Sequence, residues 1–260
     1  MTVPLEILAL LVVAALVAGW VDAVVGGGGL IQLPSLLLGL PADTPVATIA
    51  GTNKVSSFAG TLTAATAYLR SVRVHWQQAL AIMAGACAGS AGGARLVQFL
   101  PRQWFTPIVL VVLVGVGVFT LRRPALGVEN RVRHQGRALH LRLLLIGLLI
   151  GCYDGAVGPG TGTFFVIALV SLIGYGFLEA SALAKLANLT TNAAAIAVFW
   201  IHGVIWWRVG LVMAVANLTG GWIGARMAVR HGSRFVRKVF LVTVAGLAVK
   251  LAWDTVAQFR

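Results

Sequence analysis

Two aspartates in apolar stretches each precede a cluster of glycines. One lies in GWVDAVVGGGGLIQ, residues 19–32, and the other in GCYDGAVGPGTGTFF, residues 151–165. An ionisable side chain within a membrane-spanning helix costs roughly 2.5–3.5 kcal/mol on insertion scales, so it usually faces a cavity or a partner. Asp22 and Asp154 could carry protons, because burial disfavours the charged carboxylate. They could equally cap a helix or pair with a cation from the other half of the chain, and the sequence leaves these alternatives open.

The glycine clusters lack the context of a nucleotide-binding loop. A dinucleotide fingerprint follows a strand within a βαβ unit, and a P-loop needs Gly-Lys-Ser/Thr. Here the glycines interrupt apolar helices, and a helix that restarts after a break points its first amides, with about half a positive charge, at that break. Such a helix end attracts anions. The alternative role of the glycines is to let helices pack closely. The candidate anion-binding positions are Gly26, Gly27, Gly28, Gly29, Gly158, Gly160, Thr161 and Gly162.

Two lysines stand among polar residues in segments that are otherwise apolar. One lies in GTNKVSSF and the other in LAKLANLTTN. On a helix, Lys185, Asn188 and Asn192 share one face. A cation with two amides suits an oxyanion, because the ammonium supplies a point charge and the amides donate hydrogen bonds; hydrogen bonding between helices is the alternative. We predict substrate-binding roles for Lys185, Asn188 and Asn192, and for Thr52, Asn53 and Lys54.

The composition is that of an integral membrane protein. Of the 260 residues, 59% are hydrophobic and 10% are charged, against roughly 45–50% and about 25% in soluble domains. Apolar runs such as 5–25, 77–98, 105–121 and 236–253 are close to the roughly 20 residues that a helix needs to cross a bilayer. The net charge of +13 comes from basic residues at the ends of these runs, where they set topology. We therefore predict an all-α membrane helical bundle in the lipid bilayer, with no nucleic-acid partner.

The second half of the chain repeats the first. Asp154 follows Asp22 by 132 positions, and Lys185 follows Lys54 by 131. Polar matches inside apolar segments are not expected from composition alone, so we interpret the chain as a tandem duplication. The first membrane repeat is predicted at 1–121, a basic linker at 122–141 and the second membrane repeat at 142–260.

The basic residues also predict orientation. Residues 122–142 hold six arginines and one acid, which predicts a cytoplasmic linker. Counting spans from that linker, with Arg70 and Arg73 in a second cytoplasmic loop, gives the two repeats opposite orientations. Each repeat opens with two apolar pieces separated by glycines, and the second pieces, 28–40 and 161–176, are short for a full span. They are predicted to form glycine-interrupted or re-entrant helices, which together with inverted repeats are the usual build of secondary transporters.

With these motifs in order, the chain resembles the TauE/SafE family of sulfite exporters and anion permeases. The resemblance covers nearly the whole length and rests on DAVVGGGG, AGTNKV, DGAVGPGTG and KLANLTTNAAAIAVFWIHGVIWW followed by GGWIGARM. It implies a carrier of the bacterial inner membrane that moves sulfite, sulfonates or other small sulfur-containing organic anions, often outward. By position, the glycine breaks, Lys185, Asn188 and Asn192 match the family's polar central motifs. Asn53 and Lys54 depart from a small hydroxylated and an apolar residue in many relatives, which adds a cation near the site.

The rival function is an intramembrane aspartyl protease, in which Asp22 and Asp154 would share a proton and activate water. In that family one catalytic aspartate follows its glycines as Gly-x-Gly-Asp, whereas both aspartates precede theirs here.

The sequence gives no sign of a cofactor or a metal. A haem site would need pairs of histidines inside spans, and Cys87 and Cys152 lack the neighbouring ligands of a metal site. We predict a non-enzymatic carrier without cofactor or metal, working by alternating access, with Asp22 or Asp154 coupling transport to protons. The anion, the direction of transport, the coupling ion and the oligomeric state stay open, as does whether segments 28–40 and 161–176 cross the membrane fully.

Overall fold

The structure, a computed structural model, describes residues 3–41, 43–97, 132 and 135–258. The side chains of residues 233, 237, 240, 241 and 243–258 are outside this description. The predicted span 105–121 and most of the predicted linker 122–141 also lie outside the described residues. The halves compared below are therefore the described parts of each half.

Within the described residues all regular structure is helical, which confirms the all-α prediction. The helices of the first half are α1 Leu5–Val25, α2 Gly29–Gly39, α3 Val46–Leu69 and α4 Trp76–Leu96. Those of the second half are α5 Gly136–Ala156, α6 Thr161–Ala168 with a π-helical continuation Leu169–Ile173, α7 Phe177–Ile201 and α8 Trp207–Gln258. The long α8 joins two helices across Gly232, whose backbone is not helical. The same order of long, short, long and long helices thus occurs in both halves.

Four of these helices, α1, α4, α5 and α7, are long and apolar enough to cross a membrane. Each has at least 21 residues, or about 31 Å at 1.5 Å per residue, which matches the hydrocarbon core. Helix α3 is 24 residues long, and its polar side chains, including Thr52 and Lys54, are buried inside the protein. The chain therefore folds as a multi-pass membrane bundle in which polar residues are enclosed by apolar helices.

The two short helices fold back on the long helices that precede them. A side chain on Gly28 would touch Ala18 and Asp22, and one on Gly39 would touch Ile7 and Leu11. Helix α2 therefore runs antiparallel to α1 and covers about 16 Å, so the pair is a helical hairpin. The second hairpin forms in the same way, since Phe164 of α6 packs edge-on against Tyr153 of α5 with ring centroids 5.1 Å apart. The predicted interruption of the helices by glycines is confirmed.

The tips of the two hairpins meet. The Thr163 amide donates to the Gly26 carbonyl at 3.1 Å, and the Thr163 hydroxyl donates to the Val25 carbonyl at 3.1 Å. A Cβ on Gly26 would overlap the backbone of Gly162, and Gly26 also has a left-handed φ of 85°. Glycine is required here both by conformation and by space. The breaks of the two halves thus form one centre.

Other glycines pack long helices together and do not belong to this centre. They occur on successive turns of α4 and α8, where any Cβ would collide with a carbonyl of the facing helix. Such small-residue contacts are typical of membrane bundles. The contacts pair Gly85 with Leu144, Gly89 with Leu148 and Gly93 with Cys152 between α4 and α5, and Gly220 with Leu16 and Gly224 with Trp20 between α1 and α8.

The contacts also give the relative directions of α3 and α7, which occupy equivalent positions in the two halves. Gly51 near the start of α3 lies against Phe199 near the end of α7. Further along α3, Thr61 accepts a hydrogen bond from Asn192, which is earlier in α7, at 3.5 Å. The two helices therefore run antiparallel across the centre of the bundle.

Candidate functional site

Two ion pairs cross between the halves at the hairpin tips: Lys54 and Asp154 are both buried, whereas in the second pair Lys185 is buried and Asp22 is partly exposed. The Lys54 ammonium lies 2.5 Å from an Asp154 carboxylate oxygen, and the Lys185 ammonium lies 2.9 Å from an Asp22 carboxylate oxygen. Each lysine therefore pairs with the aspartate of the other half. The sequence left three roles open for the two aspartates: carrying a proton, capping a helix, or pairing with a cation of the other half. The structure shows the ion pairs.

The helix ends position the aspartates. Asp22 lies in the last turn of α1, and its carbonyl accepts the Gly26 amide at 2.7 Å. Asp154 lies in the last turn of α5, before Gly158. Gly26 and Gly158 have φ angles of 85° and 88°, a left-handed conformation that commonly ends helices and that glycine adopts without strain. The turns then send the chain back, so both carboxylates sit beside the hairpin tips.

A small cavity lies between the tips and the polar faces of α3 and α7. The space open to the centre of a water molecule is only about 20 Å³, which is room for one or two waters. Twelve predicted residues and one unpredicted residue, Ser57, line it. The lining consists of Asp22, Gly26, Gly29, Asn53, Lys54, Ser57, Asp154, Gly158, Gly160, Thr161, Gly162, Asn188 and Asn192.

Four predicted binding residues do not line this cavity. Lys185 is buried behind Asp22, where its ammonium contacts both the carboxylate and the backbone carbonyl of that residue. The Thr52 hydroxyl accepts the Trp206 amide at 3.1 Å. Gly28 packs on α1, and the Gly27 carbonyl accepts the Leu30 amide at 3.1 Å. The cation that faces the cavity is therefore Lys54.

The start of α6, the Lys54 ammonium and the Asp154 carboxylate meet at one wall of the cavity. Glycines 158, 160 and 162 and Thr161 surround this helix start, where the Thr161 amide donates to the Gly158 carbonyl at 3.4 Å and the Thr163 amide donates to the Gly26 carbonyl at 3.1 Å. A Cβ on Gly158 would lie 3.5 Å from the Lys54 ammonium, so the cation stands directly beside this helix end. A helix N-terminus and an ammonium group both favour a bound anion.

Asparagine side chains provide hydrogen bonds at the same place. Asn53 is buried, and its side-chain oxygen has no hydrogen-bond partner among the described residues. Leaving a buried polar atom unpaired costs about 1–3 kcal/mol. The Asn188 and Asn192 amides reach the cavity from α7. The cavity is thus lined by polar groups that a small polar ligand can satisfy.

A second polar network supports the site and was not predicted from the sequence. The Asn217 amide of α8 donates to Gln32 at 2.7 Å and to the Ala15 carbonyl at 2.9 Å. Gln32 in turn donates to the Asn53 carbonyl at 3.4 Å. Both side chains are buried. The signal available in the sequence is an amide within an apolar stretch of each of two helices, and neither amide has a counterpart in the other half.

A wider cleft lies away from the ion pairs, along the α3–α4 loop. Its volume is about 330 Å³, and its lining includes Arg73, His75, Tyr175 and Glu179. The Tyr175 hydroxyl donates to Gln78 at 2.6 Å. Burial raises the pKa of Tyr175 to about 12, so the hydroxyl keeps its proton at neutral pH. The cleft contains no predicted site residue, so the small cavity at the hairpin tips is the better candidate site.

The arrangement does not suit aspartyl protease chemistry. That mechanism needs two carboxylates that share one proton, whereas here each carboxylate is paired with its own lysine. Within the described part of the chain, no group of three His, Cys, Asp or Glu residues could hold a metal ion. The charged groups of the site are therefore arranged as two salt bridges around a polar cavity.

Comparison with known proteins gives a consistent result. The model of the family described as sulfite exporter TauE/SafE matches residues 11–251. A probable membrane transporter protein of Haemophilus influenzae is 34% identical over 258 residues, covering 98% of both chains. Probable membrane transporter protein ORF9 of a Sinorhizobium species is 33% identical, covering 98% of this chain and 96% of its own. Probable membrane transporter protein YfcA of Escherichia coli K12 is 32% identical, covering 97% and 92%. No solved structure gives a significant match.

Proposed function

Because the chain belongs to the sulfite exporter TauE/SafE family, we propose that it is a secondary transporter that carries a small anion. Membrane transport, without enzymatic activity, is the function of the family and of its named relatives. The bacterial relatives and the four candidate spans make it a multi-pass protein of the inner membrane. The proposed substrate is sulfite, a sulfonate or a related sulfur-containing organic anion, and the proposed direction is export.

The observation that carries the proposal is the meeting of Lys54 with the start of α6 in a buried polar cavity. In secondary transporters, interrupted helices aim their positive ends at anionic substrate groups near the midplane of the membrane. The side-chain NH2 groups of Asn188 and Asn192 supply hydrogen bonds to such a substrate, whereas the unpaired side-chain oxygen of Asn53 is an acceptor and does not bond an anion. Sulfite and sulfonates carry several acceptor oxygens on one small group, which suits several donors around a small space.

Inverted repeats are part of the same proposal. The antiparallel directions of α3 and α7 and the tip-to-tip contact of the hairpins support inversion. We keep the repeats at 1–121 and 142–260, with the basic linker 122–141 in the cytoplasm. Rocking of one repeat against the other about the cavity would then expose it to each side in turn.

The cavity has the size expected of a closed state. At about 20 Å³ of space for the centre of a water molecule, it has no room for an oxyanion unless the hairpin tips separate. Protonation of Asp22 or Asp154 would weaken an ion pair between the halves and is the proposed means of coupling transport to protons.

Flux measurements in proteoliposomes test the function. The purified protein should give saturable flux of labelled sulfite or of one member of a panel of sulfonates, and weaker flux of carboxylates. Lys54→Gln should lower the apparent affinity at least tenfold, since a hydrogen bond to a charged group contributes roughly 1.5–3 kcal/mol. Lys238→Gln is the matched control, because Lys238 is exposed on α8 and does not line the cavity. Absence of flux for the whole panel would contradict an anion substrate of this class.

A further inference from the structure

The two ion pairs are related by the duplication but differ in their surroundings. We propose that Lys54–Asp154 is the exchangeable pair: a monovalent anion replaces the Asp154 carboxylate on Lys54 while that carboxylate takes up one proton. The inference rests on the proposed function and specifies the charge of its substrate and the number of protons that travel with it.

Access to the cavity distinguishes the pairs. Both members of the Lys54–Asp154 pair line the cavity, whereas Lys185 does not. The Lys54 ammonium donates to Asp154 and lies beside the start of α6. An anion in the cavity therefore reaches Lys54 beside the positive end of the α6 dipole. Lys54 and Asp154 are also the partners that the anion must separate.

The second pair is held more firmly. Lys185 donates both to the carboxylate and to the backbone carbonyl of Asp22. Because the backbone carbonyl does not titrate, Lys185 keeps this hydrogen-bond acceptor whether the Asp22 carboxylate is ionised or protonated. This pair therefore links α1 to α7 as a fixed contact between the halves, and an anion has no direct access to its ammonium group.

The charge count of the site sets the valence of the substrate. Within the described residues, the two lysines and two aspartates sum to zero. Adding a monovalent anion alone would leave one negative charge in a buried site, which is costly unless compensated. Protonation of one carboxylate restores neutrality and frees one lysine for the anion. A divalent anion would leave one negative charge even after that protonation.

The count covers the charged groups that the described residues place in the cavity or in its two ion pairs; Arg95 of α4, the helix that packs against α5, is exposed. Lys54 faces Asp154 from α3, Asp22 lies across the cavity on α1, and Lys185 lies behind Asp22 on α7. Tyr153, the neighbour of Asp154 on α5, donates its hydroxyl proton to the Pro159 carbonyl at 2.7 Å, so it is neutral. Helix α6 contributes backbone amides and no ionisable side chain.

The proton comes from the aqueous phase that supplies the anion and leaves on the side where the anion is released. Loaded and empty carriers then have the same net charge of zero at the site. Transport should move one proton with each monovalent anion, in the same direction, and the cycle should be electrically neutral.

The test uses proteoliposomes of the full chain with an entrapped pH dye. The monovalent probes are methanesulfonate and ethanesulfonate, and the divalent probes are sulfate and methanedisulfonate. We expect monovalent anions to move faster, with one proton per anion, and a rate that a potassium diffusion potential of either sign leaves unchanged. A rate that follows the potential, a proton ratio of zero, or preference for the divalent probes would overturn the inference.

Variants identify the carboxylate. Asp154→Asn should abolish the accompanying proton flux and make any remaining anion flux respond to the potential. Lys238→Gln, at a position that is exposed on α8 and does not line the cavity, should keep one proton per anion transported, and retention of that ratio in Asp154→Asn would assign the exchange to the wrong carboxylate. If Asp154→Asn does not give stable protein, the wild-type ratio of protons to anions and the response of the wild-type rate to the potential still test the inference. Failure of every probe to move would contradict the proposed function itself, whereas flux with a different ratio contradicts this inference alone.

Discussion

Gly26 at the end of α1 and Gly162 in the first turn of α6 lie in direct backbone contact. The contact joins the tips of the two helical hairpins, and the Thr163 amide and hydroxyl reinforce it. No side chain fits between the two backbones. In this closed arrangement, the close approach of the halves at the site therefore depends on two residues that have no side chain.

Alanine at Gly26 or Gly162 should destabilise the protein. Each substitution places a methyl group inside the facing backbone, and at Gly26 it also imposes a left-handed φ on alanine. Overpacking and backbone strain together predict a loss of about 2–4 kcal/mol. Thermal denaturation of the detergent-solubilised protein should show a midpoint lower by roughly 5–15 °C.

Gly92→Ala is the matched control for this prediction. Gly92 lies within α4, and a Cβ there would meet nothing within 4 Å. Because alanine favours a helix over glycine by about 1 kcal/mol, the control should be neutral or slightly stabilised. Equal midpoints for Gly26→Ala and Gly92→Ala would show that the tip contact is not tight.

Removing one member of the Lys185–Asp22 pair should be worse than removing both. Lys185→Gln leaves a carboxylate without its cation, and breaking a buried pair in this way costs roughly 3–5 kcal/mol. The double variant Lys185→Gln/Asp22→Asn carries no unpaired charge. Its thermal midpoint should lie above those of both single variants, which a double-mutant cycle measures. A strictly additive loss would mean that the two residues do not stabilise each other.

Asn188→Ala and Asn192→Ala should weaken substrate binding more than they affect folding. Each removes an amide from the cavity wall, and a lost hydrogen bond to a charged ligand predicts a rise in KM of roughly tenfold to a hundredfold. Concentration dependence of flux measures the effect. Thr190→Ala is the control on the same helix, since its hydroxyl bonds the Leu186 carbonyl and does not line the cavity. An unchanged KM in both asparagine variants would remove α7 from the binding site.

The sequence predicts the hairpin tips well because glycine and charge patterns are local. A glycine run after an aspartate in an apolar stretch interrupts a helix wherever it occurs, and both interruptions are found. Helix ends are harder to predict. Helix α5 begins at Gly136, six residues before the predicted start at 142, because its first turns carry Arg137 and His140, and a search for apolar runs does not include them.

Which lysine faces the cavity could not be read from spacing. Helical periodicity places Lys185 on the same face as Asn188 and Asn192, but it does not show where a long side chain ends. In the structure the Lys185 ammonium reaches Asp22 of the other half, and Lys54 takes the place facing the cavity. The supporting Gln32–Asn217 contact spans 185 positions, and no local pattern connects such distant residues.

The crossed ion pairs also bear on how the chain is made. Lys54 and Asp22 belong to the half that is synthesised first, and their partners Asp154 and Lys185 belong to the half that follows. Until the second half is inserted, the first contains one positive and one negative group whose partners are missing. A chain truncated after its first half therefore keeps two uncompensated charges in the lipid. Completion of synthesis is thus coupled to charge neutralisation, and a prematurely terminated product differs electrically from the finished protein.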